Sequence, residues 1–180
     1  GKTLERTKTS IFDAPVISTN KKYLKQIKQH LRKYKINNYK IVLEPAKRNT
    51  APAILSTALI KDIPNNQPLM FFSADHLIEK MNIFNKAINK NKKNLSDQNI
   101  FIFGIKPTSP SSEYGYFLTK KIKGYINKVT RFIEKPKEVK AKQIIKNKGY
   151  WNSGMFYLRK DSIINNFKKY QPKTYRNCLN

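Results

Sequence analysis

Residues 68–76 read PLMFFSADH. The run is apolar up to Ala74, broken only by Ser73, and lacks the polar–apolar alternation of a strand with one wet face. Such continuity predicts a strand buried on both faces, as in a parallel sheet covered by helices. The run stops abruptly at Asp75 and His76. In open α/β sheets ligands sit just outside the carboxyl ends of the strands, so this is a place to look for chemistry. Local chemistry offers two readings of Asp75. It can cap a helix over 76–95, HLIEKMNIFNKAINKNKKNL, a common role for Asp. It can also be an oxygen ligand for Mg²⁺, which binds carboxylates and keeps several waters. Taken alone, the pattern favours the cap.

Outward from this stretch, strand-like and helix-like segments alternate. NKKYLKQIKQHLRKYK (20–35) spaces Tyr23, Leu24, Ile27 and Leu31 as one helical face, with Asn20 as N-cap. KIVLEP (40–45) predicts a short strand stopped by Pro45. TAPAILSTALIKD (50–62) predicts a helix capped by Thr50, with Pro52 in its first turn. IFIFGIKP (100–107) is a second strand of the buried type. YGYFLTKKIKGYINKVTRFIEKP (114–136) predicts a hairpin turning at Gly124. PKEVKAKQIIKNKG (136–149) predicts a helix stopped by Gly149. YWNSGMFYLRK (150–160) predicts a strand, and DSIINNFKKYQP (161–172) a helix capped by Asp161 and halted by Pro172. This order predicts the α/β class, with a mostly parallel but mixed central sheet flanked by helices. The 180 residues suit one domain with a real core.

Composition narrows the function. At 39% hydrophobic and 12% aromatic, the chain is built to fold. No apolar stretch reaches the length of a membrane span. The opening GKTLERTKTS has no signal-peptide core and no Met, so the chain reads as a processed or truncated piece. One cysteine, Cys178, excludes an internal disulfide and a Cys-based zinc site, and is compatible with a cytoplasmic protein. The formal net charge of +26 suggests a polyanion partner. Yet only six of the 37 basic residues are Arg, and the lysines are spread along the chain among many Asn and Ile. A nucleic-acid reader would favour Arg for bidentate contacts. Lys, Asn and Ile rise together in AT-rich genomes, so composition explains the charge best and no specific nucleic-acid partner is expected.

The strand-to-helix junctions hold the candidate site residues. Arg48, Asn49 and Thr50 lie at one such turn, where backbone N–H groups and the helix dipole suit an anionic ligand; a capped polar turn is the plainer reading. Gly115 sits between two tyrosines, where it allows a ligand close to the backbone or simply makes a bulge. Glu134 and Lys135 end a strand before Pro136: a carboxylate for sugar hydroxyls beside an ammonium for phosphate, or an exposed charged pair. Asn152 offers both donor and acceptor inside an apolar strand.

Singly these are weak signals, but their order is specific. LEPAKRNTAPAI, FFSADH, FGIKPTSPSSEYGYF, RFIEKP and YWNSGMF together resemble the bacterial mannose-1-phosphate guanylyltransferases (GDP-mannose pyrophosphorylases) of the sugar-nucleotidyltransferase superfamily. The resemblance runs from about Thr3 to about Pro172, and RNTAPAI and WNSGMF are its most specific parts. It implies a Rossmann-like nucleotide-diphospho-sugar transferase fold. It also implies a reaction, GTP plus mannose 1-phosphate giving GDP-mannose and diphosphate, in nucleotide-sugar and polysaccharide biosynthesis. It would place Arg48, Asn49 and Thr50 at the nucleotide, and Gly115, Glu134, Lys135 and Asn152 at the sugar phosphate. Asp75 would be the Mg²⁺ ligand, and Asp75 and Lys135 the catalytic pair.

Two departures stand out. The family's opening Gly-rich loop with its Arg is not in these 180 residues, and neither is the second metal-binding Asp expected beyond the last helix. Residues 1–180 therefore read as a partial nucleotidyltransferase domain, truncated at both ends and inactive alone. The rival readings are a relative using glucose 1-phosphate with UTP or dTTP, and a basic RNA-binding module. No membrane partner is expected, and a homo-oligomer is allowed.

Overall fold

The computed structural model describes residues 2–44, 50–123 and 126–179. Along the chain these form α1 (Lys2–Arg6), β1 (Val16–Asn20), α2 (Leu24–Lys33), β2 (Lys40–Glu44), α3 (Thr50–Ala58), β3 (Pro68–Phe71) and α4 (Met81–Asn91). There follow β4 (Ile100–Ile105), β5 (Tyr116–Lys123), β6 (Ile126–Ile133), α5 (Glu138–Lys146), β7 (Tyr150–Arg159), α6 (Lys160–Tyr170) and α7 (Pro172–Leu179). The expected α/β class is what the chain adopts. It forms two compact units: Gly1–Ile100 with Tyr157–Asn180, and Phe101–Phe156.

In the first unit β1 and β2 pair in parallel, from Val16 opposite Lys40 to Asn20 opposite Glu44. The Ser18 hydroxyl donates to Glu44 Oε1 (2.6 Å) and Asn20 Nδ2 to the Glu44 carbonyl (3.2 Å), fastening the end of the ladder. Asn20 does cap, accepting from the Lys22 N–H, but what it caps is a 3₁₀ turn, Lys21–Tyr23, and α2 starts one residue later. Leu31 of α2 is buried and Tyr23 is exposed. The end of α2 explains the next turn. Lys35 takes a left-handed φ of 51°, and the Ile36 N–H donates to the Leu31 carbonyl (2.9 Å), a Schellman-type stop with apolar residues at both contact positions. Ile54, Leu55 and Ala58 form the buried face of α3, which packs on α6 and α7.

A buried lysine ties this unit together. Lys160, only 4% exposed, donates from Nζ to the carbonyls of Ile60 (2.8 Å) and Ile63 (2.5 Å), just past α3. Lys160→Met keeps the stem but strands both carbonyls, so we expect a loss of about 3 kcal/mol, read as a lower urea midpoint with an unchanged m-value.

The molecule departs from several expectations of the sequence. β3 is four residues long and half-buried, and Ile100 and Ile105 at the ends of β4 are exposed. Apolar continuity signals burial only where both faces are covered. Asp161 lies inside α6, and Arg159 holds the N-cap position. The Asp161 carboxylate accepts the Ser162 N–H (2.8 Å) and pairs with the Arg159 guanidinium. Pro172 opens α7 as well as ending α6, as its fixed φ and missing N–H allow.

In the second unit β5 is antiparallel to both β6 (Tyr116 opposite Ile133) and β7 (Tyr116 opposite Trp151), and β4 also pairs with β7. The hairpin is as expected, with Gly124 itself outside the described residues. One sheet face packs Tyr116, Leu118, Ile133 and Trp151 against Ala141 and Ile144 of α5.

Sequence pattern puts the stop of α5 at Gly149, but the left-handed residue is Lys148 (φ 57°). Its N–H and that of Gly149 donate to Ile145 and Ile144 (both 2.9 Å), again a Schellman pattern. Gly149 is there for room: a Cβ would lie 2.4 Å from Ile144 Cγ2 and 2.9 Å from the Ile144 carbonyl oxygen. We expect Gly149→Ala to cost about 1–3 kcal/mol and Lys148→Gly to stabilise by about 0.5 kcal/mol, since relief of the left-handed penalty exceeds the added chain entropy. Thermal melts of the two variants should move in opposite directions. Among the described residues no helix is long and apolar enough to cross a membrane.

Candidate functional site

Asp75 lies in a turn four residues after β3, with its side chain exposed. It does not cap a helix. α4 begins only at Met81, with Lys80 at its N-cap position, so the capping reading is overturned. The cause is a pair of long-range contacts. Thr3 Oγ1 of α1 donates to the Ala74 carbonyl (2.7 Å), and the guanidinium of Arg6 donates to the His76 carbonyl. The peptides flanking Asp75 are thus held by side chains some 70 residues away, and the His76 carbonyl, an early acceptor in a helix capped at Asp75, is already engaged. Aromatic packing holds the adjoining Phe72 between Phe12 (5.6 Å) and Phe84 (5.8 Å).

The Asp75 carboxylate makes no hydrogen bond or ion pair among the described residues. A free, exposed carboxylate on a pinned backbone fits a Mg²⁺ ion that draws one ligand from the protein and the rest from water and substrate oxygens. Among the described residues no group of three or more His, Cys, Asp or Glu gathers to hold a metal, so these residues form no all-protein cage. Thr50 is the exposed first residue of α3, and Arg48 and Asn49 lie outside the described residues.

The sugar-side candidates all fall in the second unit, and three of them meet. The Asn152 N–H donates to the Gly115 carbonyl at 2.7 Å, extending the β5–β7 pairing by one residue. A Cβ on Gly115 would stand 2.8 Å from Glu134 Oε2 and 2.9 Å from Phe132 Cζ, so glycine is what lets the Glu134 carboxylate lie over the strand. By the alternation of strands, Gly115, Phe132, Glu134 and Asn152 share the face opposite α5. Asn152 Oδ1 accepts the Gly154 N–H (3.3 Å), and Gly154 takes φ 70°, so the NSG stretch is a local turn inside β7. The Nδ2 amide of Asn152 stays available to a ligand.

Lys135 takes φ 40°, a left-handed geometry that costs a residue with a Cβ about 1–2 kcal/mol. Glu134 and Lys135 are both exposed, and the buried Pro136 follows them. Strain of this kind persists where the surroundings enforce it, and it clusters at ligand clamps.

The family profile for nucleotidyl transferase matches residues 1–178. The chain belongs to the nucleotidyl transferase family. This nucleotidyl transferase chain is 31% identical to the alginate biosynthesis protein AlgA of Pseudomonas fluorescens over 182 residues, 98% of this chain and 38% of that protein. It is 33% identical to a mannose-1-phosphate guanylyltransferase of Escherichia coli over 185 residues, 98% of this chain and 40% of that protein. The chain thus spans about two fifths of the length of these relatives. A crystal structure described as a mannose-1-phosphate geranyltransferase from Thermus thermophilus has a TM-score of 0.83 at 23% identity, covering 99% of this chain and 52% of that one, and speaks for the fold alone. The resemblance to the mannose-1-phosphate guanylyltransferases therefore holds for a nucleotidyl transferase whose relatives serve sugar-phosphate chemistry.

Two residues of these clusters escaped the reading of the sequence. Phe132 shares the space beside Gly115, which only the β5–β6 register reveals. Arg6 contacts the Asp75 turn from a stretch, KTLER, that has no motif spacing of its own.

Proposed function

We propose that this chain is part of a mannose-1-phosphate guanylyltransferase, joining GTP and mannose 1-phosphate into GDP-mannose with release of diphosphate. The observation that carries the reading is the Gly115–Glu134–Asn152 cluster, in a chain whose relatives include a mannose-1-phosphate guanylyltransferase. A carboxylate accepting from two hydroxyls, beside a free amide donor, is chemistry suited to a sugar ring. Lys135 follows at once and supplies a point charge for the sugar phosphate.

In the reaction a phosphate oxygen of mannose 1-phosphate bonds to the α-phosphorus of GTP, and the bond from that phosphorus to the bridging oxygen of the diphosphate breaks. The protein does little covalent work; it orients the two anions and neutralises their charge. Asp75 is the residue that would hold Mg²⁺, which supplies Lewis-acid neutralisation of the phosphoryl oxygens. Lys135 steadies the attacking phosphate. Arg48, Asn49 and Thr50 are proposed to read the nucleotide. The setting is cytoplasmic nucleotide-sugar synthesis, and these 180 residues alone are expected to turn over little or nothing.

A substrate panel tests the reading. The complete reading frame that contains this chain, offered GTP, UTP or dTTP with mannose 1-phosphate or glucose 1-phosphate, should release diphosphate fastest with GTP and mannose 1-phosphate. A preference for UTP or dTTP with glucose 1-phosphate would move it to another branch of the family. Tight RNA binding with no turnover of any pair would favour a basic binding module.

A further inference from the structure

Arg6 is buried to 95% of its surface, being 5% exposed, yet one of its guanidinium nitrogens, Nη1, has no hydrogen-bond partner among the described residues. Burying a charge with an unpaired donor is costly, so such a group calls for an explanation. Its other terminal nitrogen donates to the His76 carbonyl, immediately after Asp75. Thr3, one helical turn earlier, holds the Ala74 carbonyl immediately before it. The result is a two-point clamp on the peptides either side of an exposed carboxylate that is otherwise unrestrained.

We propose that Arg6 is a positioning residue for Asp75: with Thr3 it fixes the turn so that the carboxylate is preorganised for a divalent cation bound together with a nucleoside triphosphate. The proposal rests on the reading of Asp75 as the metal-side carboxylate. A ligand held in place before the metal arrives loses less conformational freedom on binding, and the affinity gained is that saving.

The test compares GTP binding in EDTA with GTP binding in Mn²⁺, by calorimetry, using the complete reading frame. Asp75→Asn, Arg6→Gln and Thr3→Val are measured beside the parent protein. The expected result is that Mn²⁺ tightens GTP binding to the parent protein, Asp75→Asn removes that gain, and Arg6→Gln loses about tenfold of it. In EDTA, Arg6→Gln should bind GTP within twofold of the parent, because only the metal-dependent part passes through Asp75. An Arg6→Gln protein that keeps the whole Mn²⁺ gain, or loses EDTA binding equally, overturns the clamp and leaves Arg6 a structural residue. Should Arg6→Gln fail to fold, Thr3→Val decides. It removes only an exposed hydroxyl, and it should still lose at least threefold of the gain; a full gain overturns the proposal. If Asp75→Asn itself keeps the gain, the reading of Asp75 has failed, and the clamp with it.

Discussion

Asp75→Asn is expected to lower the rate of the proposed guanylyl transfer by roughly a thousandfold, about 4 kcal/mol of transition-state stabilisation, and to leave the fold untouched. Both halves come from the same geometry. The carboxylate is exposed and has no partner among the described residues, so removing its charge breaks nothing in the protein. Its backbone is held through Ala74 and His76 by bonds that the substitution leaves alone. Asn keeps the size and one oxygen but loses the charge a hard cation requires. Thermal melts within about 1 °C of the parent protein, with the rate collapse seen at saturating GTP and Mg²⁺, would fit; a matching fall in melting temperature would mean a structural role for Asp75.

The second large effect is at Gly115. Gly115→Ala places a methyl 2.8 Å from Glu134 Oε2 and 2.9 Å from Phe132 Cζ. Both are the far ends of side chains, so the fold yields cheaply, and we expect a stability loss of no more than about 1 kcal/mol. What moves is the carboxylate proposed to hold the sugar. Two hydrogen bonds from sugar hydroxyls to a charged group are worth about 1.5–3 kcal/mol each, so the KM for mannose 1-phosphate should rise ten- to hundredfold. The KM for GTP should change little. Gly149→Ala is the control. There the methyl meets a backbone oxygen and a helix-borne Ile in another part of the second unit, so stability falls while KM stays the same.

The contrast between the two glycines also says what was legible in the sequence. Alternation of apolar runs was enough for the α/β class, because hydrophobic period is a local signal. The order of short motifs was enough to bring Gly115, Glu134 and Asn152 forward, and the structure places those three together. Helix ends are less legible, and the reason is compositional. With six glycines in 180 residues, lysine occupies the left-handed positions at 35, 135 and 148. Lysine carries no turn signature, so pattern alone assigns the stop of α5 to Gly149, one residue late. The N-cap at Asp75 fails for another reason. The contacts that keep residues 74–76 out of a helix come from Thr3 and Arg6, at a sequence distance no local pattern can encode. Arg48 and Asn49, read from the same motif order, lie outside the described residues, and their part in nucleotide binding rests on the resemblance.

The most direct measurement is ³¹P NMR of the complete reading frame mixed with GTP, mannose 1-phosphate and Mg²⁺, with the Asp75→Asn protein run beside it. If Asp75 holds the metal for guanylyl transfer, the paired resonances of GDP-mannose grow together with that of diphosphate in the parent sample and stay at baseline in the variant. A parent sample in which GTP and mannose 1-phosphate persist unchanged, or a variant that forms GDP-mannose at the parent rate, would contradict it.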